Sequence, residues 1–155
     1  MPYKMRGRTF DEFTVGEEIV SGARTVTEAD VVNFACLSGD YNPQHMNKEF
    51  AEKDPIGERI AHGLLILSMA TGLLNQTGAF EGTSIAILEV TARFAKAVKF
   101  GDTIRAVQTV TGKKETSKPD RGVLSTRITV LNQEDQAVVE ADLVILMYRY
   151  GYLPK

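Results

Sequence analysis

An uninterrupted apolar segment near the middle of the chain constrains the fold more than any other feature. Residues 63–75 read GLLILSMATGLLN, and in a helix their apolar side chains would surround the axis almost completely. A helix that is apolar on every side is expected to be buried on every side. The segment is also too short to span a bilayer, which needs roughly 20 apolar residues. We therefore predict a central core helix that the rest of the chain covers.

One narrow polar stripe interrupts this helix. Ser68, Thr71 and Asn75 recur at helical spacing and fall on the same face. Hydroxyl groups inside a core helix commonly bond back to a carbonyl of the preceding turn. They can instead face a groove that holds a ligand, and the sequence leaves both interpretations open.

The segments around this helix have the pattern of antiparallel strands. Apolar and polar residues alternate between short turns rich in glycine, proline, asparagine and aspartate, which is typical of strands with one buried face. The predicted strands are residues 19–26, 83–94, 103–110, 123–131 and 137–148. We predict an α+β fold in one domain, residues 1–155, with a curved antiparallel sheet around the helix. One small sheet would leave the helix exposed, so a second copy of the chain is expected to complete its burial.

Composition excludes several classes of function. The chain has 18 basic and 20 acidic residues, a net charge of −2, whereas nucleic-acid binding and membrane attachment through a polybasic patch both call for a basic excess. The one cysteine, Cys36, cannot form an internal disulfide and fits a reducing cytoplasm. We predict no metal and no cofactor.

A polar segment containing Asp40 and His45 follows the first predicted helix. That helix starts at Thr27, where Asp30 three residues on resembles a capping box, and it ends at Gly39. The letters DYNPQH that follow predict a loop, because proline cannot continue a helix. One interpretation is an Asx-type turn with a surface histidine. The other is a carboxylate and an imidazole that activate a water.

The glycine that opens the central helix is the third candidate residue. The N–H of Gly63 has no partner within the helix, and without a Cβ a ligand can approach its backbone closely. The positive end of the helix dipole would favour negative charge developing on a ligand oxygen. His62, just before it, is either a further catalytic group or a structural residue at the helix start.

Taken together, these motifs resemble those of the MaoC-like dehydratases, which include the (R)-specific enoyl-CoA hydratases. The resemblance spans most of the chain and rests on the DYNPQH loop, on Ala61-His62-Gly63, and on the strand pair from Arg93-Phe94 to Gly101-Asp102-Thr103. It implies a hot-dog fold, in which an antiparallel sheet wraps a long helix, and at least a homodimer with sites near the subunit interface.

The resemblance also implies a reaction and a set of site residues. The reaction is hydration of a trans-2-enoyl-CoA to an (R)-3-hydroxyacyl-CoA, or the reverse dehydration, with coenzyme A or an acyl-carrier protein as the handle of the substrate. Asp40 and His45 would be the catalytic pair, and the N–H of Gly63 would receive the thioester oxygen. The residues implied at the substrate are Asn42, His62, Leu64 and Thr71, the last standing where better-known hydratases have serine.

Two other functions stay open at this point. The same fold hosts acyl-CoA thioesterases, and fold alone does not separate the two activities. A subunit that binds acyl chains without catalysis is the third possibility, and the presence of both Asp40 and His45 argues against it.

Overall fold

A computed structural model describes residues 5–153. After a 3-10 turn at Phe10–Glu12, the elements in chain order are β1 (Glu18–Val20), β2 (Arg24–Thr25), α1 (Glu28–Ser38), α2 (Pro43–Met46), α3 (Lys48–Ala51), α4 (Gly63–Gln76), β3 (Ser84–Phe94), β4 (Thr103–Glu115), β5 (Arg121–Leu131) and β6 (Ala137–Tyr148). The α+β class and the antiparallel sheet predicted from the sequence are therefore confirmed.

The sheet is open, and its strands follow the order β1-β4-β5-β6-β3, with every neighbouring pair antiparallel. The segment predicted as one strand over residues 19–26 forms two short strands, β1 and β2, which both pair with β4. The described residues thus contain six strands, not the five that the sequence predicts. The break follows Ser21, whose hydroxyl oxygen accepts the N–H of Ala106.

The inner face of the sheet packs against α4 and forms the core. Alternate residues of β4, β5 and β6 point inward, and most of them are apolar. On α4 the inward side chains are Leu65, Ile66, Met69, Ala70, Leu73 and Leu74. Because a strand alternates faces with a period of two, the predicted inward row of β6 is confirmed from Val139 to Met147. A register shift near Val130 also buries Val138.

In the single chain α4 is only partly covered, in line with the expectation that one small sheet leaves the helix exposed. Leu64 is 62% exposed, and Ser68, Gly72 and Asn75 follow it along the same uncovered face. The hydroxyls of Ser68 and Thr71 donate to the carbonyls of Leu64 and Ser68, both at 2.8 Å. Back-bonding of the hydroxyls is therefore confirmed. Within residues 5–153, no helix combines the length and the apolar character needed to cross a membrane.

The strand β3 forms one edge of the sheet. Among the described residues it pairs only with β6, and it is mostly exposed along its 11 residues. Its exposed apolar side chains are Ile87, Leu88, Val90 and Phe94. A long apolar edge strand of this kind is a template for pairing with another chain.

Candidate functional site

The local structure of α1 fixes where Asp40 lies. The capping box at Thr27 and Asp30 is confirmed, and Gly39 ends the helix in the left-handed conformation, with φ 77° and its N–H on Ala35. Asp40 then begins the loop. The carboxylate of Asp40 accepts the N–H of Asn42 at 3.2 Å, which is the Asx turn that the sequence suggested.

His45 lies on a short helix, which corrects the prediction of a loop. The one-turn helix α2 runs from Pro43 to Met46, with Asn42 as its N-cap and Pro43 at its first position. Proline is well suited to that position, because its missing N–H would have no helical partner there and its φ is already helical. The turn directs His45 into the protein, where only 4% of it is exposed.

Hydrogen bonds fix the tautomer of His45. Its Nδ1 lies 2.8 Å from the carbonyl oxygen of Ile60 and must therefore donate, which leaves the lone pair on Nε2. The amide nitrogen of Gln44 lies 3.1 Å from Nε2 and is placed to donate to it. Burial lowers the pKa of His45 from its ordinary value of 6.5, and His62 lowers it further, against the opposing effects of the Ile60 carbonyl and Asp40.

His62 is buried against both other groups. Its ring centroid lies 3.8 Å from that of His45, with 30° between the ring planes, and the ring of Phe34 packs on it at 5.0 Å. Its Nε2 donates to the main-chain carbonyl of Asp40 at 2.9 Å. His62 therefore ties the Asp40 loop to the start of α4. Substrate contact by His62, predicted from the sequence, stays a prediction.

Asp40 and His45 come together at this point. The side chain of Asp40 is about half exposed, and its Oδ2 lies 4.0 Å from Nε2 of His62. One carboxylate oxygen of Asp40 and one ring nitrogen from each histidine all lie within 4.8 Å of one another. Two hydrogen bonds of about 2.8 Å through one water span such a distance. The carboxylate and the imidazole can thus hold a single water between them.

The same three groups are candidate metal ligands, but their geometry is loose for one ion. Zinc binds histidine nitrogen at about 2.0–2.1 Å, so nitrogen and oxygen ligands around one zinc approach each other much more closely than 4.8 Å. The absence of a metal stays a prediction.

Gly63 supplies the backbone donor beside this pair. It is the first residue of α4, and the first hydrogen bond of the helix is that from Ile66 N–H to the carbonyl of His62. Within the described part of the chain, the N–H of Gly63 has no partner. A Cβ on Gly63 would lie 2.7 Å from the ring of Phe94, so only glycine fits there without displacing that ring. We call Asp40, His45, His62 and Gly63 the loop–helix corner.

A cavity of about 380 Å³ lies between the exposed stripe of α4 and the inner face of the sheet. We call it the helix cavity, and it is lined by Ser68, Thr71, Gly72, Leu74, Asn75, Phe80, Ser84, Ile87, Gln108, Ile128, Leu143 and Ile145. At a rise of about 1.5 Å per residue, Ser68 is about 8 Å and Asn75 about 18 Å along the axis from Gly63. The cavity therefore extends away from the corner along the helix.

The structure distributes the predicted site residues over four places. Asp40, His45, His62 and Gly63 lie at the loop–helix corner, and Thr71 lines the helix cavity. Leu64 is exposed on the first turn of α4, on the same face as Ser68 and next to the cavity, while Asn42 caps α2. The roles predicted for these residues in catalysis and substrate binding stay predictions.

Three features of the site did not emerge from the sequence. The carbonyl of Ile60 sets the tautomer of His45, and the ring of Phe94 covers Gly63. Gln108 is a buried polar residue in an otherwise apolar row of β4. Of the three, only Gln108 left a signal in the sequence, because it interrupts the inward row Ile104, Ala106, Gln108 and Val110.

A second cavity, of about 270 Å³, is lined by Gly63 itself. Its lining includes Ile60, Gly63, Phe94 and Lys96, so it joins the start of α4 to the end of β3. Of the four corner residues, only Gly63 lines this cavity, and none lines the helix cavity.

Comparison with known proteins places the chain among relatives. The family described as "MaoC like domain" matches residues 12–132. Protein MaoC of Klebsiella aerogenes is 41% identical over 72% of this chain, but the chain spans only 32% of the length of that protein. The (R)-specific enoyl-CoA hydratase of Rhodospirillum rubrum is 29% identical over 92% of this chain and 93% of its own.

A solved structure shows the fold. The Mycobacterium tuberculosis protein Rv0216, described as having a double hot-dog fold, superposes with a TM-score of 0.82 over 99% of this chain and 48% of its own, at 18% identity. One chain of the present protein therefore corresponds to about half of that double fold, and the predicted hot-dog fold is confirmed. The match to residues 12–132 shows that the chain belongs to the MaoC-like dehydratase family, a family of hydratases and dehydratases.

Proposed function

We propose that this protein adds water to the double bond of a trans-2-enoyl thioester to give an (R)-3-hydroxyacyl thioester, and catalyses the reverse dehydration. The observation that carries the proposal is the loop–helix corner. There a carboxylate and an imidazole lie within 4.8 Å of each other, beside a helix-terminal N–H that is without a partner among the described residues. The (R)-hydratase name of a full-length relative supports the reaction and its stereochemistry.

The proposed chemistry assigns a role to each group, and His45 acts first as the base and then as the acid. Water takes the place of the Gln44 amide at Nε2 of His45 and is held between that nitrogen and Asp40. Its oxygen bonds to C3 of the enoyl chain as one of its protons moves to Nε2 of His45. The Ile60 carbonyl, which accepts the N–H at Nδ1, and the Asp40 carboxylate both stabilise the imidazolium that forms. The imidazolium then returns a proton to C2. The elements of one water are thus added across the double bond.

The charge that develops during this step needs a separate partner. As C3 is attacked, electrons move through C2 to the thioester oxygen and form an enolate. The N–H of Gly63, at the positive end of the 14-residue helix α4, is the donor that we assign to this oxygen. Removal of a donor of this type costs about 10²–10³ in rate in other enzymes.

The two cavities give the substrate its direction. We place the acyl chain in the helix cavity and the pantetheine arm in the second cavity, with the thioester at Gly63 between them. Lys96 lies at the second cavity and bonds the side-chain oxygen of Gln136 at 2.8 Å. The neighbouring cations Arg93 and Lys99 already pair with Glu140 and Glu58. Lys96 is therefore the cation that we assign to the phosphates of coenzyme A or of an acyl-carrier protein.

We also propose a homodimer that forms through β3. If two copies paired β3 with β3, the main-chain groups of this edge would be bonded, and its exposed apolar side chains would lie beside those of the second copy. Val90, 47% exposed on β3, and Val20, 56% exposed on β1, offer a matched pair of substitutions. Light scattering should show a dimer that Val90→Lys converts to monomer, while Val20→Lys does not. A wild-type monomer at micromolar concentration would contradict the proposal.

The single cysteine supports a cytoplasmic location.

One assay tests the proposed reaction against its two alternatives. Crotonyl-CoA is incubated with the protein while loss of the conjugated-enoyl absorbance and release of free thiol are followed together. Hydration lowers the absorbance and releases no thiol. Thiol release would identify a thioesterase instead. No change in either signal across a range of acyl lengths would favour a binding subunit and contradict the proposal.

A further inference from the structure

The helix cavity contains a buried amide that lacks most of its hydrogen-bonding partners. Gln108 is 3% exposed and belongs to the inward row of β4. Its amide nitrogen lies 2.9 Å from the hydroxyl of Thr126, which is 1% exposed on the neighbouring strand β5. Within residues 5–153, the rest of the amide makes no hydrogen bond, and Gln108 lines the cavity. The rest of the amide is not enclosed but faces the open cavity, where water can pair with it. An apolar chain that displaced this water would leave the amide unpaired, which is costly, so a ligand in the cavity is expected to supply a polar partner.

The polar groups around the cavity are all uncharged. Ser68, Thr71, Asn75 and Ser84 line it together with Gln108, and no lysine, arginine, histidine or acidic residue is among the lining side chains. A carboxylate or an ammonium group taken into this space would be buried without a counter-charge, which is strongly unfavourable. The cavity therefore suits an uncharged polar group within an otherwise apolar chain.

A hydroxyl group matches the amide in either of its orientations. If the amide nitrogen of Gln108 donates to Thr126, the carbonyl oxygen faces the cavity and needs a donor. With the amide reversed, Thr126 donates to the oxygen, and the NH₂ group faces the cavity and needs an acceptor. A hydroxyl both donates and accepts, so it satisfies both cases, whereas a purely apolar chain satisfies neither.

We infer that the acyl chain of the preferred substrate carries a hydroxyl group, in addition to the one formed at C3, which binds Gln108 in the helix cavity. This inference rests on the proposed function, because it places the acyl chain in the cavity beside α4. It narrows the substrate class from enoyl thioesters in general to those with an uncharged polar acyl chain. It also excludes substrates with a second carboxylate at this position.

Calorimetric binding tests the inference without requiring turnover. The probes are saturated straight-chain acyl-CoAs of increasing length, each paired with a counterpart that carries a hydroxyl on its last carbon. At the length that brings the hydroxyl to Gln108, the wild-type protein should bind the hydroxylated chain about three- to tenfold more tightly, as expected for one net hydrogen bond. At other lengths the hydroxyl should give no advantage.

Two variants show whether Gln108 is the cause. Gln108→Met keeps the side-chain length and removes the amide, so the hydroxylated chain should lose its advantage and the unsubstituted chain should gain affinity. Gln76→Met, the same change at an exposed position outside the cavity lining, should leave the preference for the hydroxylated chain unchanged. A wild-type protein that binds the unsubstituted chain at least as tightly at every length would overturn the inference.

Failure of the hydroxyl inference can be distinguished from failure of the proposed hydration reaction. Hydration of crotonyl-CoA without a hydroxyl preference at any length would overturn the inference and leave the reaction standing. If no acyl-CoA of either series binds and crotonyl-CoA is not hydrated, the proposed function fails, and the inference fails with it.

Discussion

The loop–helix corner and the helix cavity both lie at α4, yet their polar groups are arranged in opposite ways. At the corner, His45 and His62 each donate to a main-chain carbonyl, and Asp40 accepts a main-chain N–H. In the cavity, the amide of Gln108 has one side-chain partner and otherwise faces open space. The side chains of Asp40, His45 and His62 are each fixed to the main chain before a ligand arrives, and among the described residues the groups left without a partner there are the N–H of Gly63 and Nδ1 of His62. In the cavity, by contrast, a single side-chain bond holds the amide that faces a ligand.

This difference indicates a division of tasks. Catalytic groups work best when other bonds already hold them in the reactive geometry, since little reorganisation is then needed during reaction. Groups that select a substrate gain specificity by staying unpaired until the correct ligand satisfies them. Substitutions at the corner should therefore lower the rate for every substrate, and substitutions in the cavity should change which substrate is preferred.

Removing either member of the catalytic pair is the strongest test of this division. Asp40→Asn and His45→Gln should each lower kcat for crotonyl-CoA hydration by about 10² or more, because each removes a group that handles protons. Loss of the enoyl absorbance measures the rate. Gln108→Met serves as the matched control in the cavity, and for this short substrate it should stay within about threefold of wild type, since crotonyl has no group that reaches Gln108.

Near-full activity in Asp40→Asn or in His45→Gln would remove that residue from the mechanism. Thermal unfolding of each variant separates a catalytic loss from a folding loss. His45 is buried and bonded to the Ile60 carbonyl, so the amide of His45→Gln is chosen to keep a donor in the same place.

The corner could be predicted largely because its parts are close in the sequence. The capping box at Thr27 and the left-handed Gly39 fix the end of α1 by local rules, and they leave Asp40 just beyond it. The start of α4 at Gly63 follows in the same way from the onset of the apolar segment. The prediction failed at Pro43, where the ring was taken to forbid a helix although it begins one.

The helix cavity could not be predicted, because its lining comes from four strands and a helix that are far apart in the sequence. Ser84, Gln108 and Ile145 meet only once the register of the sheet is set. The sequence did predict that one small sheet would leave α4 partly exposed, but it did not predict that Leu64 would lie on the exposed face. Apolar composition shows which residues can be buried, but it does not show how far the sheet of a single chain reaches around the helix.

A glycine-to-alanine substitution at the corner should affect activity more than one in the helix cavity. At Gly63 a methyl group would come within 2.7 Å of the Phe94 ring and cover the free N–H. Gly63→Ala should therefore lower kcat/KM for crotonyl-CoA at least about tenfold, as partial loss of an oxyanion donor. Its stability should change little, because the ring of Phe94 is 46% exposed and can move aside.

Gly72→Ala is the matched control for that substitution. Gly72 lies on the same helix and lines the helix cavity, and a Cβ added to it would have no other atom within 4 Å. Alanine there should raise the free energy of unfolding by about 0.5–1 kcal/mol through helix propensity, and crotonyl-CoA hydration should be unchanged. Equal losses of activity in Gly63→Ala and Gly72→Ala would remove the special role of the Gly63 amide.

The smallest expected effect is on the pH dependence of kcat/KM, and only the residues of the corner should contribute to it. Burial lowers the pKa of His45 below its ordinary 6.5, and His62 adds to the shift, while the Ile60 carbonyl and Asp40 oppose it. Neutral His45 is the form that can accept a proton from water, so the acid limb of kcat/KM should fall below pH 6.5.

The lowered pKa of His45 also makes the free energy of unfolding depend on pH. The unfolded chain, with the ordinary pKa of 6.5, takes up its proton at higher pH than the folded one. The contribution of His45 to stability is therefore complete above pH 6.5 and is lost as pH falls through the folded pKa. Urea unfolding at a series of pH values should show this loss in wild type, and His45→Gln should lack that part of it.

The cavity supplies the contrast for the pH profile. Gln108→Met removes no ionisable group, and the cavity lining contains none, so its acid limb should coincide with that of wild type even where its substrate preference has changed. Removal of the Asp40 charge should move the acid limb of Asp40→Asn to still lower pH, because that carboxylate favours the imidazolium of His45. An acid limb above pH 6.5 in wild type would mean that a group other than a buried, neutral His45 controls the rate.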